Sequence, residues 1–313
     1  MDAAKLAQAK KYALKGDGSG FITRGGKLVF SWGSPTKIYD LKSTTKSIGV
    51  TGLGLALQDG MLALDDAAQE YHPTLGTMPK TNGLTGWLDD ILIRDLATHT
   101  AGFEKHKASP EMLFAPGTAW EYSDGGANGL AELLTLTYGQ DLKDLFFSRI
   151  FTPLGISPGE LSWRNNSDRP RIQGIQNREF GSGISASVNA LARIGYLYLR
   201  NGRWRGEQLI PESFVTEVRG TQPKVVGLPE VYPEEYGNAS DHYGLLWWNN
   251  ADGTLVNVPR DAYWSWGFKD SLIIVIPSLD IVVARAGNGW REGWSPDYEV
   301  LRPFIQPIVD SVN

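Results

Sequence analysis

The chain has 313 residues, 42% hydrophobic and 21% charged, a balance that supports a folded core and excludes a disordered chain. Lys and Arg number 30 against 35 Asp and Glu, for a net charge of −5; with no basic run, this argues against a nucleic-acid partner. The chain contains no cysteine, which excludes disulfides, thiolate metal sites and a cysteine nucleophile.

No apolar stretch follows Met1–Lys5, so no signal peptide is read there. No apolar run approaches the ~20 residues of a membrane span. Residues 2–15 read as a short amphipathic helix. Phe21–Arg24 and Lys27–Trp32 read as strands joined at Gly25-Gly26. Residues 43–59 read as an apolar helix closed by Gly60. To about residue 215 the pattern is mainly helical, with helices expected at Ile91–Thr98, Asn128–Tyr138, Leu142–Ile150 and Ala186–Asn201. The pairs Asp65-Asp66 and Asp89-Asp90 fall near helix starts and read as caps. Residues 220–241, rich in proline and acids, read as a long loop. The period then changes to two. Tyr243–Trp248, Ala262–Ser265, Ser271–Ile276 and Ile281–Ala286 read as strands, the last two joined by a turn at Pro277–Asp280. A helix is expected over 297–311.

Strands at both ends with helices between predict an α+β fold: one antiparallel sheet closed by both termini, with a helical region inserted. The expected division is a sheet lobe of residues 1–60 and 215–313 and a mainly helical lobe of residues 61–214, sharing one catalytic unit.

Most catalytic signatures are absent. Gly183-Ile184-Ser185-Ala186-Ser187 fails the G-x-S-x-G elbow at its last position, and there is no H-E-x-x-H, P-loop or G-x-G-x-x-G. The four histidines have no ligand spacing, so neither metal nor cofactor is expected. Ser-x-x-Lys remains, twice. Ser34-Pro35-Thr36-Lys37 sits in a turn. Ser43-Thr44-Thr45-Lys46 opens the long apolar helix. Positions i and i+3 share a helix face, so Lys46 reaches the Ser43 hydroxyl. The helix N-terminus offers free N–H groups to an oxyanion, and burial favours a neutral, basic lysine. The competing reading is a capping serine and a surface lysine. In Glu121-Tyr122-Ser123-Asp124 the tyrosine either relays a proton to a leaving group or only packs. In Tyr263-Trp264-Ser265-Trp266-Gly267-Phe268 a strand edge can donate a backbone N–H, and the glycine permits close approach to a ligand.

Together these three stretches resemble the serine β-lactamase-related hydrolases. That superfamily holds class C β-lactamases, low-molecular-weight penicillin-binding proteins, D-amino-acid peptidases and amidases, and family VIII carboxylesterases. Arg94-Asp95-Leu96-Ala97-Thr98-His99-Thr100-Ala101-Gly102, the Gly181–Ser187 turn, Asn201–Gly206, Tyr243–Trp248 and the hairpin from Ile273 to Asn288 are similar too, in order over about 20–290. The resemblance implies an antiparallel sheet with a helical lobe and the site between them. It implies Ser43 as the acyl-accepting nucleophile, Lys46 as its base, Tyr122 as the general acid/base, and the N–H groups of Ser43 and Phe268 as the oxyanion hole.

Two departures bear on substrate. Asp124 stands where the family often has Asn. It either pairs with Lys46 and favours its charged form, leaving the proton mainly to Tyr122, or points away. The third motif reads Ser265-Trp266-Gly267, without the cation of penicillin-recognising members and similar to the Trp-Gly of family VIII esterases. Arg260 and Lys269 are the candidate substitutes. Asp124, Ser265, Trp266, Gly267 and Trp248 are therefore expected to contact substrate. Half of the aromatics Trp247, Trp248, Tyr263, Trp264, Trp266, Phe268, Trp290 and Trp294 are expected in the core, and the rest around an apolar pocket. The loop 228–241 either borders the cleft or is a solvated surface loop. The implied activity is hydrolysis of a small-molecule ester or amide through an acyl-enzyme. The alternatives are a β-lactamase or D-alanyl-D-alanine carboxypeptidase, and a catalytically weak binding member.

Overall fold

The computed structural model describes residues 1–105, 109–165, 169–291 and 298–312. Along the chain come α1 (Ala3–Ala13), β1 (Ser19–Arg24), β2 (Lys27–Trp32), β3 (Tyr39–Asp40), α2 (Thr44–Gly49), α3 (Thr51–Gln58), α4 (Ala68–Tyr71), α5 (Ile93–Thr98), α6 (Asp124–Tyr138), α7 (Leu142–Phe146), β4 (Leu161–Trp163), β5 (Ile184–Ala186) and α8 (Val188–Leu199). These are followed by β6 (Arg203–Trp204), β7 (Glu207–Gln208), α9 (Glu212–Arg219), α10 (Pro233–Tyr236), β8 (Trp248–Asn249), β9 (Tyr263–Gly267), β10 (Ser271–Ile276), β11 (Ile281–Ala286) and α11 (Arg302–Asp310).

The α+β architecture is as expected. The main sheet runs β2-β1-β11-β10-β9-β8, so β1 from the start of the chain pairs with β11 from its end, in register from Ser19↔Ala286 to Arg24↔Ile281. The turn between β1 and β2 needs two positive φ values, 59° and 74°, which Gly25 and Gly26 supply. Every residue of β10 and β11 is buried, so both faces of these strands are covered. Helix α8 packs on β10, β11 and β1. Its Gly195 allows the close approach: a Cβ there would lie 2.5 Å from Val282. Terminal helices α1 and α11 pack together, and Phe304 of α11 meets Trp32 of β2 edge-on.

Several expectations need correction. The helix of 43–59 is two helices, α2 and α3, meeting at Val50. Tyr243–Trp248 is not a strand. Leu246 has φ 54°, Gly244 N–H donates to the Trp247 carbonyl, and the ladder starts only at Trp248. A short, nearly continuous apolar run such as this one does not by itself fix the local structure. The Asp pairs do not cap helices through their side chains. Asp65 pairs with Arg94, Asp66 accepts the Ala63 N–H, and Asp89 and Asp90 lie in a 3-10 turn. The acid at the α5 N-terminus is Asp95, accepting the Leu92 N–H. The long loop of 220–241 contains α10.

Sequence patterning does not reveal the small sheet β3-β5-β4, whose strands are two and three residues long. It matters for the site. By pairing Tyr39–Asp40 with Ser185–Ala186 it lays the Gly181 turn beside the start of α2.

Candidate active site

Helix α2 is buried along its whole length, and its polar side chains are spent on neighbouring elements. Thr44 Oγ1 donates to the Ser271 carbonyl at 2.7 Å, Ser47 Oγ donates to the Leu246 carbonyl at 2.6 Å, and Thr45 Oγ1 accepts the Ile184 N–H at 3.1 Å. Lys42, at φ 51°, turns the chain into the helix. Ser43 is the N-cap residue by position, but its side chain caps nothing. Its hydroxyl instead donates to the Gly181 carbonyl at 3.4 Å and accepts from Lys46 Nζ at 3.1 Å. The i, i+3 spacing does what the helix requires of it.

Lys46 is 1% exposed. Its ammonium also donates to the Gly181 carbonyl at 2.9 Å and pairs with Asp124. Asp124 therefore does not point away. Burial alone would drive the proton off Lys46; the Asp124 carboxylate and the Tyr122 phenol override it and hold the lysine above its ordinary value.

Tyr122 lines the same cavity as Ser43, with Lys46 Nζ 4.8 Å from its ring centroid. Its ring lies near-parallel to Tyr236 and Trp248, at 5.3 and 5.8 Å between centroids. Burial pushes the phenol above its ordinary value, with Lys46 opposing in part. His99 packs 4.6 Å from the Tyr122 ring. Its Nδ1 accepts the Ser123 N–H at 3.1 Å, which leaves Nε2–H to donate to Tyr243 at 3.1 Å. Burial, with Lys46 nearby, holds His99 well below its ordinary value, so it is a neutral brace.

A cavity of about 450 Å³ opens over these groups, lined by Ser43, Tyr122, Asp124, Gly181, Trp266 and Phe268 among others. Among the described residues neither the Ser43 nor the Phe268 N–H donates to a protein backbone acceptor. Gly267 holds Phe268 close to α2: a Cβ on it would lie 2.1 Å from the Leu41 carbonyl and 3.2 Å from Thr44 N. The close approach seen here that requires glycine is to the backbone of Leu41 and Thr44 and to the Ser271 hydroxyl.

The other expected contacts divide. Trp266 lines the cavity and donates from its indole to Asp270 at 2.8 Å. Ser265 does not line it. It is fully buried, accepts the Ile273 N–H at 2.8 Å and lies 3.3 Å from Thr44 Oγ1, because an inward position on a strand under α2 faces core. Trp248 does not line it either; it stacks on Tyr122 from beneath the site's surface. Arg260 donates to the Ala251 carbonyl, and Lys269 lines a separate depression with Lys37 and Asp40. Neither lines the Ser43 cavity. Of the eight C-terminal aromatics named above, Trp266 and Phe268 are the ones among the described residues that line this cavity. Trp247, Trp264 and Tyr263 are core, Trp290 packs on Tyr12 and Phe304, and Trp294 lies outside the described residues.

Sequence reasoning missed the Gly181 carbonyl as a site acceptor, along with Lys105 and Tyr236. The loop 228–241 borders the cleft through Tyr236, tied to the site because Trp120 exchanges backbone hydrogen bonds with Pro229 and Val231. Nothing in the local pattern marked Lys105 or Tyr236.

The sequence model of the beta-lactamase family matches residues 7–302. The chain belongs to the beta-lactamase family. An uncharacterized protein of Alkalihalophilus pseudofirmus is 22% identical over 276 residues, 82% of this chain and 76% of the relative. Among solved structures, a protein described as a putative beta-lactamase from Bacteroides dorei superposes with TM-score 0.78 at 17% identity, covering 100% of this chain and 99% of its own. A family VIII carboxylesterase superposes with TM-score 0.69 at 15% identity, covering 98% of each chain. These similarities establish the beta-lactamase/transpeptidase-like fold, and the family is one of serine hydrolases acting on ester, amide or β-lactam substrates.

Proposed function

We propose that this beta-lactamase-family chain hydrolyses a carboxylic ester or small amide through an acyl-enzyme on Ser43. The observation that carries the reading is the Ser43 hydroxyl, unspent on capping, 3.1 Å from Lys46 Nζ at the edge of a cavity of about 450 Å³. In the resting site Lys46 is an ammonium and Tyr122 a phenol, so the net proton acceptor is Asp124, reached through Lys46. As Ser43 Oγ bonds to the substrate carbonyl carbon, its proton passes to Lys46 while Lys46 gives one of its own to Asp124. The carbonyl oxygen becomes an oxyanion facing the N–H groups of Ser43 and Phe268. When the bond to the leaving group breaks, Tyr122 protonates that group and recovers its proton from the Lys46–Asp124 pair. Water then attacks the acyl carbon by the same path.

The third motif carries no cation at Ser265 and Trp266, which disfavours a β-lactam whose carboxylate is held on that strand and favours an ester or small amide. The Lys46–Asp124 pair favours a second reading, a catalytically weak binding member, because it ties up the lysine. A fluorophosphonate probe with intact-mass detection, run beside a panel of p-nitrophenyl esters, anilides and nitrocefin, separates these. The expected result is a single adduct, abolished in Ser43→Ala, with ester turnover reduced about a thousandfold or more. An unlabelled wild type points to the binding reading; nitrocefin turnover above ester turnover points to the β-lactamase.

A further inference from the structure

The cations lining the Ser43 cavity among the described residues are Lys42 and Lys105. They differ in commitment. Lys42 Nζ sits 2.6 Å from its own neighbour Asp40. Lys105 comes from the helical side, in the loop after α5. Its ammonium lies over the Tyr236 ring at 4.7 Å and the Tyr122 ring at 5.6 Å, and contacts the Tyr236 hydroxyl. Its nearest carboxylate, Glu235, is 3.6 Å away and half exposed. The other acids around it are engaged or uncharged: Asp124 pairs with Lys46, and the buried Glu121 is pushed up to about 8. Lys105 is thus a partly dehydrated cation held over aromatic rings, and its pairing with the half-exposed Glu235 is long and solvent-screened.

We infer that Lys105 anchors an anionic group of the substrate, a carboxylate carried on a chain that runs from the reacting carbonyl between Tyr236 and Trp266. The anchoring charge that the third strand lacks stands on the opposite wall of the cleft. This deepens the hydrolase reading and rests on it. A carboxylate replacing Glu235 gains a charge-assisted hydrogen bond in a partly buried setting, while the aromatic rings that hold Lys105 fix its direction.

The test compares mono-p-nitrophenyl glutarate, which carries a carboxylate, with p-nitrophenyl butyrate, which does not. The readout is the ratio of their kcat/KM values. In wild type the ratio favours the glutarate. Lys105→Met should lower it about ten- to a hundredfold, mainly through the glutarate KM, and Lys105→Arg should largely restore it. Glu235→Gln, at an exposed position, should raise the ratio by removing the competing carboxylate. A ratio unchanged in both Lys105→Met and Glu235→Gln overturns the inference while leaving the Ser43 hydrolase intact. Failure of wild type to turn over either ester overturns the hydrolase reading, and this inference with it.

Discussion

Asp124→Asn tests the electrostatics of the site directly. The change removes the carboxylate that pairs with Lys46, a lysine 1% exposed. Breaking a buried ion pair by removing one partner costs about 3 to 5 kcal/mol. The Asp124 side chain is 27% exposed, so water partly reaches the gap and the loss should fall near the low end, about 3 kcal/mol at pH 7. The sign with pH follows from linkage. In the wild type Lys46 is raised above its ordinary value of 10.5. Its contribution is fully present below 10.5 and is lost as pH rises through the raised value. In the variant only Tyr122 still opposes burial, the larger influence, and Lys46 should fall below 10.5. The unfolded chain then binds more protons between the two values, and stability rises with pH. The two stability curves must therefore converge as pH climbs from 7 toward 10. Urea unfolding at pH 7, 8.5 and 10 measures this. The pH–rate profile adds a second readout. With Lys46 neutral the amine itself accepts the Ser43 proton, so the ascending limb of the variant follows the lysine. A deficit under about 1 kcal/mol at pH 7, or one that stays constant to pH 10, would refute the pairing argument.

Glu121 is 1% exposed, and among the described residues neither carboxylate oxygen has a hydrogen-bond partner. Burial pushes it from 4.5 up to about 8, so the folded state holds a proton that the unfolded state gives up. Stability is full below 4.5 and falls as pH rises toward 8, with Glu230, pushed up to about 7, adding to the slope. Glu121→Gln should flatten the decline of Tm between about pH 5 and 8; an unaltered slope would contradict it. Gly267→Ala places a Cβ 2.1 Å from the Leu41 carbonyl and 2.3 Å from Ser271 Oγ. The expected cost is about 3 kcal/mol or more in thermal unfolding, with loss of probe labelling at Ser43. Ser265→Ala leaves the buried Ile273 N–H without its hydroxyl acceptor, for about 1–3 kcal/mol of stability. The KM for a neutral ester should not change; a large rise would return Ser265 to the cleft.

The legible parts of this protein are those that depend on neighbours in sequence. The Gly25-Gly26 hairpin, the strands Ser271–Ile276 and Ile281–Ala286 and the apolar helix after Ser43 each follow from local periodicity and backbone preference. So does the meeting of Ser43 with Lys46, because three residues along a helix return to the same face. The order of elements and motifs sufficed for the α+β fold and the family resemblance. The Lys46–Asp124 pair was one of two readings left open, because its partners are 78 residues apart and nothing local orients the carboxylate. The same holds for the Gly181 carbonyl, carried to α2 by a three-stranded sheet too short to pattern. It holds as well for Lys105 and Tyr236, brought together across 131 residues. Residue types in the third motif showed that a cation was missing, but only packing decided that Ser265 faces core, that Trp248 backs Tyr122 and that a lysine stands on the opposite wall. Periodicity reports which side of an element is apolar; what that side meets is set by contacts between distant segments, and the chemistry of this cleft is made of such contacts.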